Sequence, residues 1–143
     1  MNSEGIRRLT IVSCLVALFM LRPVDGVLPT TPDSPTPGSG LHVLIVEDRM
    51  NRRSLPPAQF DAMMSAKVDD LIRQHKGYKY LYDKNQDVST KDDPWVRDAM
   101  KLPRKSLPWL VIDNNGKGVS QPFPNTPGQE IKQFEELIEK YTK

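Results

Sequence analysis

The chain has 143 residues, enough for one ordinary domain and a tail but not for two such domains. A formal net charge of +2 and a charged fraction of 27% give no global field of the kind that draws a protein onto nucleic acid. The single cysteine, Cys14, excludes an intramolecular disulfide, a cysteine-rich zinc site and a two-cysteine redox couple.

At the N-terminus Arg7 and Arg8 precede an uncharged, mostly apolar run, residues 9–21 (LTIVSCLVALFML), which Arg22, Pro23 and Asp25 end. The run falls short of the roughly twenty residues a membrane-spanning helix needs. It has the form of a secretory-signal h-region, with Val24 and Gly26 as small residues before a cut between Gly26 and Val27. The alternative for residues 1–26 is an uncleaved signal anchor, which would keep the protein on a membrane. Ile11-Val12-Ser13-Cys14 resembles a bacterial lipobox, but Leu15 to Leu21 continue the apolar stretch that a lipobox would close. In each case the expected location is extracytoplasmic: secreted, periplasmic or anchored by this segment. Residues 27–40 (VLPTTPDSPTPGSG) place Pro29, Pro32, Pro35 and Pro37 among Thr, Ser and Gly, the composition of an extended tether. Without residues 1–26, which carry Arg7, Arg8, Arg22, Glu4 and Asp25, the balance is 17 basic against 16 acidic residues.

Residues 41–143 read as one domain. His42 to Asp48 (HVLIVED) is a short β-branched run suited to a buried central strand. After a polar loop, Pro56-Pro57 open a helix whose apolar face is Phe60, Met64, Val68 and Leu71 or Ile72, running to about His75 with Gly77 as its stop. Tyr78 to Tyr82 alternates as a second strand. Asp93-Pro94 starts a short helix to Lys101, with Trp95, Val96 and Met100 inward. Trp109 to Ile112 forms a third strand, and Asn115-Gly116 suits a type I′ turn into a fourth near Gly118 to Pro122. Thr126-Pro127-Gly128-Gln129 reads as a capping box for a last helix with Ile131, Phe134, Ile138 and Tyr141 on its apolar face. The predicted order is β-α-β-α-β-β-α, with no internal repeat.

This order, and above all Ser106-Leu107-Pro108-Trp109-Leu110-Val111-Ile112-Asp113-Asn114-Asn115-Gly116-Lys117, is similar to the thioredoxin superfamily, in which a cis-proline precedes a strand, a glycine turn and a return strand. The resemblance implies an α/β, thioredoxin-like three-layer sandwich around a four-stranded mixed sheet, with Pro108 in the cis form. It also places Pro108 beside the start of the first helix, where the family carries Cys-x-x-Cys. Here that region, Arg49 to Pro57 (RMNRRSLPP), has no cysteine. Thiol–disulfide exchange requires a thiolate, so that activity does not carry over.

In that fold the loop with Arg49, Arg52 and Arg53 would meet the one with Lys101, Arg104 and Lys105 at one end of the sheet, near Pro108 and Trp109. Such a cluster suits an anion or an acidic partner; the plainer reading is solvated loop charge offset by Glu47, Asp48, Asp92 and Asp93. Asp83, Asn85 and Asp87 match the first positions of an EF-hand loop, but Val88 and Pro94 stand where glycine and glutamate belong. His42 and His75 lack clustered partners. No metal or cofactor is expected, and no nucleophile elbow, phosphate loop or HExxH marks a catalytic residue. The expected function is a redox-inactive module binding a protein or peptide and no nucleic acid. The alternatives are an enzyme or carrier for a small anionic substrate, and a structural component of an envelope or particle.

Overall fold

A computed structural model of the chain describes residues 33–143. The targeting segment 1–26, with Cys14, and residues 27–32 of the linker lie outside the described residues. Over the described residues the protein is α/β, with four α-helices and a four-stranded mixed sheet. The strands are β1 (Leu41–Glu47), β2 (Tyr78–Asp83), β3 (Trp109–Asn114) and β4 (Lys117–Pro122); the helices are α1 (Pro57–Met63), α2 (Ala66–Gln74), α3 (Pro94–Lys101) and α4 (Glu130–Thr142).

β1 is buried along its whole length because it is covered on both faces and flanked on both edges. The strand order is β2-β1-β3-β4. β2 runs parallel to β1 with His42 opposite Tyr78, and β3 runs antiparallel with Val46 opposite Trp109. β4 returns antiparallel to β3 through Asn115 and Gly116, both at positive φ as a type I′ turn requires. Strand alternation then divides the core. Val43, Ile45, Leu110 and Ile112 pack against α1, α2 and α4 through Met63, Ile72, Phe134 and Ile138. Leu44, Val46, Trp109 and Val111 pack against α3 through Trp95, Val96 and Ala99.

Several local expectations need correction. The helix predicted from Pro56 to His75 is two helices, because Ser65 turns to an extended conformation and its hydroxyl accepts the Val68 N–H at 3.4 Å as a new N-cap. The break rotates the face, so Met63 is buried and Met64 exposed. Lys76, at φ 55°, takes the left-handed terminal position expected of Gly77. The last helix begins at Glu130 and not at Pro127: Gly128 has φ 76°, which no helix accommodates, so residues 126–129 form a turn closed by Gln129 N–H donating to the Thr126 carbonyl. Thr126 is tied instead to Gln133 Nε2 at 2.9 Å, and Ile131 is exposed.

The end of the Pro-rich stretch is docked, where composition predicts a free tether. Residues 33–40 cross the end of the sheet as a strap: the Asp33 backbone forms an isolated antiparallel β-bridge with Lys117, Ser34 N–H donates to the Gly116 carbonyl at 2.8 Å, and Trp95 Nε1 donates to the Thr36 carbonyl at 2.8 Å. Gly38 N–H donates to Asp113 Oδ2 at 2.9 Å and Gly40 N–H to Asn115 Oδ1 at 2.9 Å. Backbone groups that a PPII tether would leave to water find fixed partners here, which composition alone does not reveal.

Candidate functional site

Three segments meet at the end of the sheet opposite the strap. The β1–β2 register sets Glu47 beside Asp83, so the chain leaving β1 and the chain leaving β2 emerge side by side. The segment entering β3, Arg104 to Pro108, reaches the same end because Trp109 lies opposite Val46. The Leu107–Pro108 peptide is cis.

The first segment is a 3-10 turn, Arg49–Ser54, where the sequence predicts a polar loop. Asp48 caps it, Oδ1 accepting the Met50 N–H at 3.1 Å. Asp83 Oδ2 accepts the Arg49 N–H at 2.9 Å, and Lys84 N–H donates to the Glu47 carbonyl at 2.8 Å. Glu47 is wholly buried, and the Arg52 guanidinium forks onto it, Nε to Oε2 at 2.8 Å and Nη2 to Oε1. The Glu47 hydrogen bond also pushes the Arg52 pKa further up. Arg52 therefore serves chiefly to satisfy a buried charge. Lys84 Nζ donates to Asp48 Oδ2 at 2.6 Å, and Asn51 Nδ2 donates to the same oxygen at 2.7 Å. Lys84 first, and Asn51 after it, hold the Asp48 carboxyl below the usual carboxylate range. Asp83 is held low in the same sense, mainly by the Arg49 N–H.

Two shallow clefts open here and share Leu107. One, of about 230 Å³, is lined by Asp48, Asn51, Ser54, Leu55, Leu107 and Pro108. The other, of about 450 Å³, is lined by Lys84, Asn85, Arg104, Lys105, Ser106 and Leu107. The Lys84–Asp48 ion pair stands between them.

Of the residues singled out from the sequence, Arg104, Lys105 and Pro108 line the clefts. Arg49 and Arg53 are exposed on the 3-10 turn beside Asn51. Lys101 lines neither cleft and pairs with Asp98 one turn back along α3. Trp109 does not belong to the surface: alternation in β3 turns it into the α3-side core, where its Nε1 donates to Ser120 Oγ at 2.7 Å. The sequence names Glu47 only as an offsetting charge and does not single out Lys84 or Asn51. Nothing local marks Lys84, which the β1–β2 register brings to Asp48, whereas Asn51 and Glu47 meet Asp48 and Arg52 within the same short segment. Asp83 and Asp87 carry no metal-like arrangement; each carboxylate accepts the N–H two residues on, from Asn85 and Ser89. Among the described residues no three His, Cys, Asp or Glu side chains are grouped to hold a metal ion, and no helix is long and apolar enough to cross a membrane.

A second polar cluster lies under the strap. His42 stacks on Trp95 with centroids 4.9 Å apart, its Nε2 3.4 Å from Asp93 Oδ2, which also accepts the Tyr80 hydroxyl at 2.6 Å. Asp93 Oδ1 caps α3 through the Trp95 N–H at 2.9 Å. Desolvation, and then the Asp93 hydrogen bond, raise the Tyr80 pKa. Every one of these groups has a structural partner, so the cluster fastens α3 to the sheet. No protein-family model, curated protein or solved structure matches the chain.

Proposed function

We propose that residues 41–143 form a thioredoxin-like domain that has no thiol chemistry and acts as a binding module for a protein or peptide. The observation that carries this reading is the pair of clefts meeting at Leu107, rimmed by exposed side chains and containing no nucleophile paired with a base. The β2-β1-β3-β4 order, with one parallel and two antiparallel pairings and helices on both faces, supports the thioredoxin-like reading. Residues 1–26 support export, and the module then works outside the cytoplasm.

The test is site-specific photo-crosslinking of the full-length protein in its native cell. A photoreactive residue replaces Ser106, at the cleft, or Ile131, exposed on α4. A discrete partner captured from position 106 and not from 131 is the expected result. Equal capture from both positions, or none from 106, overturns the assignment of this face.

A further inference from the structure

We infer that the occupant of the Leu107 clefts is an acidic peptide segment that presents an apolar side chain between carboxylates. The inference rests on the binding-module reading above and adds the chemistry of the partner. It comes from how charge is layered at this end of the sheet. Six cations, Arg49, Arg52, Arg53, Lys84, Arg104 and Lys105, gather here against three carboxylates, Glu47, Asp48 and Asp83, none of which is exposed. The Glu47 and Asp48 side chains are 0% and 12% exposed, while their ion-pair partners Arg49 and Lys84 are 55% and 40% exposed. Arg53 and Lys105 are also exposed, and among the described residues neither has a carboxylate within ion-pair distance. Exposed charges govern what an approaching molecule meets, since the buried pairs cancel at short range. A nearly neutral domain thus shows a cationic face at one pole.

The apolar contribution comes from Met50, 88% exposed between Arg49 and the Arg52-Arg53 pair, and from Leu55 and Leu107, half-buried on the cleft floor. An unbranched thioether held out in solvent is an adaptable contact for an apolar side chain. The cations are spread over the segments leaving β1 and β2 and the one entering β3, so they fit carboxylates distributed along a chain better than one small anion, which needs convergent donors. Nucleic acid is disfavoured by the absence of a stacking surface. Among the described residues the exposed large hydrophobic side chains are Met50, Met64, Tyr78 and Ile131, and Tyr78, the aromatic one, lies at the other end of the sheet opposite His42.

The experiment is fluorescence anisotropy with the full-length protein and labelled peptides of one length. One peptide is glutamate-rich with a central leucine, one replaces each Glu with Lys, and one replaces the leucine with serine. A single-stranded oligonucleotide and inorganic phosphate, the latter as competitor, complete the set. The acidic leucine peptide is expected to bind best and to weaken by about tenfold between about 50 and 300 mM salt, as exposed charges are screened. Arg53→Glu/Arg104→Glu/Lys105→Glu should abolish that binding, and Met50→Ser should weaken it about threefold to tenfold by removing the apolar contact. Arg52 stays unchanged in the variant because it neutralises buried Glu47. Equal binding of the lysine peptide, tighter binding of the oligonucleotide, full competition by millimolar phosphate, or binding indifferent to the triple variant overturns the proposal. If these peptides fail while Ser106 still crosslinks a partner in cells, the acidic-peptide inference falls and the binding module stands.

Discussion

Asp113 is fully buried where the strap crosses the sheet, its Oδ2 held by the Gly38 N–H and its Oδ1 without a hydrogen-bond partner. Burial pushes its carboxyl above the usual range, against weaker opposing pulls from the Ser34 hydroxyl and the Gly38 N–H. The folded state therefore binds this proton more tightly than the unfolded chain. The cost of the buried charge is full above the raised pKa and disappears as pH falls through it to the ordinary carboxylate range. Asp113→Asn keeps an acceptor for Gly38 and removes the charge. At about pH 8 the variant should be more stable than wild type by on the order of 1 kcal/mol, with the gap closing towards about pH 4. Urea denaturation of both proteins across that range tests it; a wild type more stable at pH 8 would contradict the account. Asp48 and Asp83 act in the opposite sense. Their lowered pKa values give stability that is present above the carboxylate range and lost as pH falls through the lowered values, so only the difference between the two proteins isolates Asp113.

β4 crosses β3 so closely at Gly118 that a Cβ there would stand 1.9 Å from the Ile112 carbonyl oxygen. Gly118→Ala should cost about 3 kcal/mol or more, because backbone rather than a pliable side chain must move. Gly128→Ala, with open space around it but φ 76°, should cost only about 1 kcal/mol. Chemical denaturation of the two variants tests the order, and equal losses would refute it. At this scale much was legible in the sequence. The strands, the Asn115-Gly116 turn and the Asp93-Pro94 helix start follow from β-branched runs, turn chemistry and proline geometry. What failed were choices between neighbouring signals: Met63 or Met64 as the buried residue, Lys76 or Gly77 as the terminus, Pro127 or Glu130 as the first helical position. Each depends on a dihedral angle at one residue, which periodicity does not encode. The candidate site was legible as two basic loops and Pro108. The inward turn of Trp109, the capture of Arg52 by Glu47 and the arrival of Lys84 depend on register and packing instead.

At the scale of the whole described domain, residues 33–143, two cores share one sheet and a strap closes its far end. That closure is read directly by amide hydrogen exchange of the full-length protein. Ser34, Gly38 and Gly40 N–H donate to fixed acceptors, and Ser34 and Thr36 are buried, so these amides should exchange at least about tenfold more slowly than an unstructured chain. Rates equal to those of a free peptide would mean the strap is detached. The strap joins the end of the sheet where Leu41 pairs with Asn114, and the clefts lie where Val46 pairs with Trp109. A tension applied through the N-terminus would therefore load the strap's hydrogen bonds one after another, from Asp33 towards Gly40, before any force reached the central strand. The first thing to yield under such a pull is a few residues of slack at the rear of the domain, while the face that carries Pro108 keeps its shape.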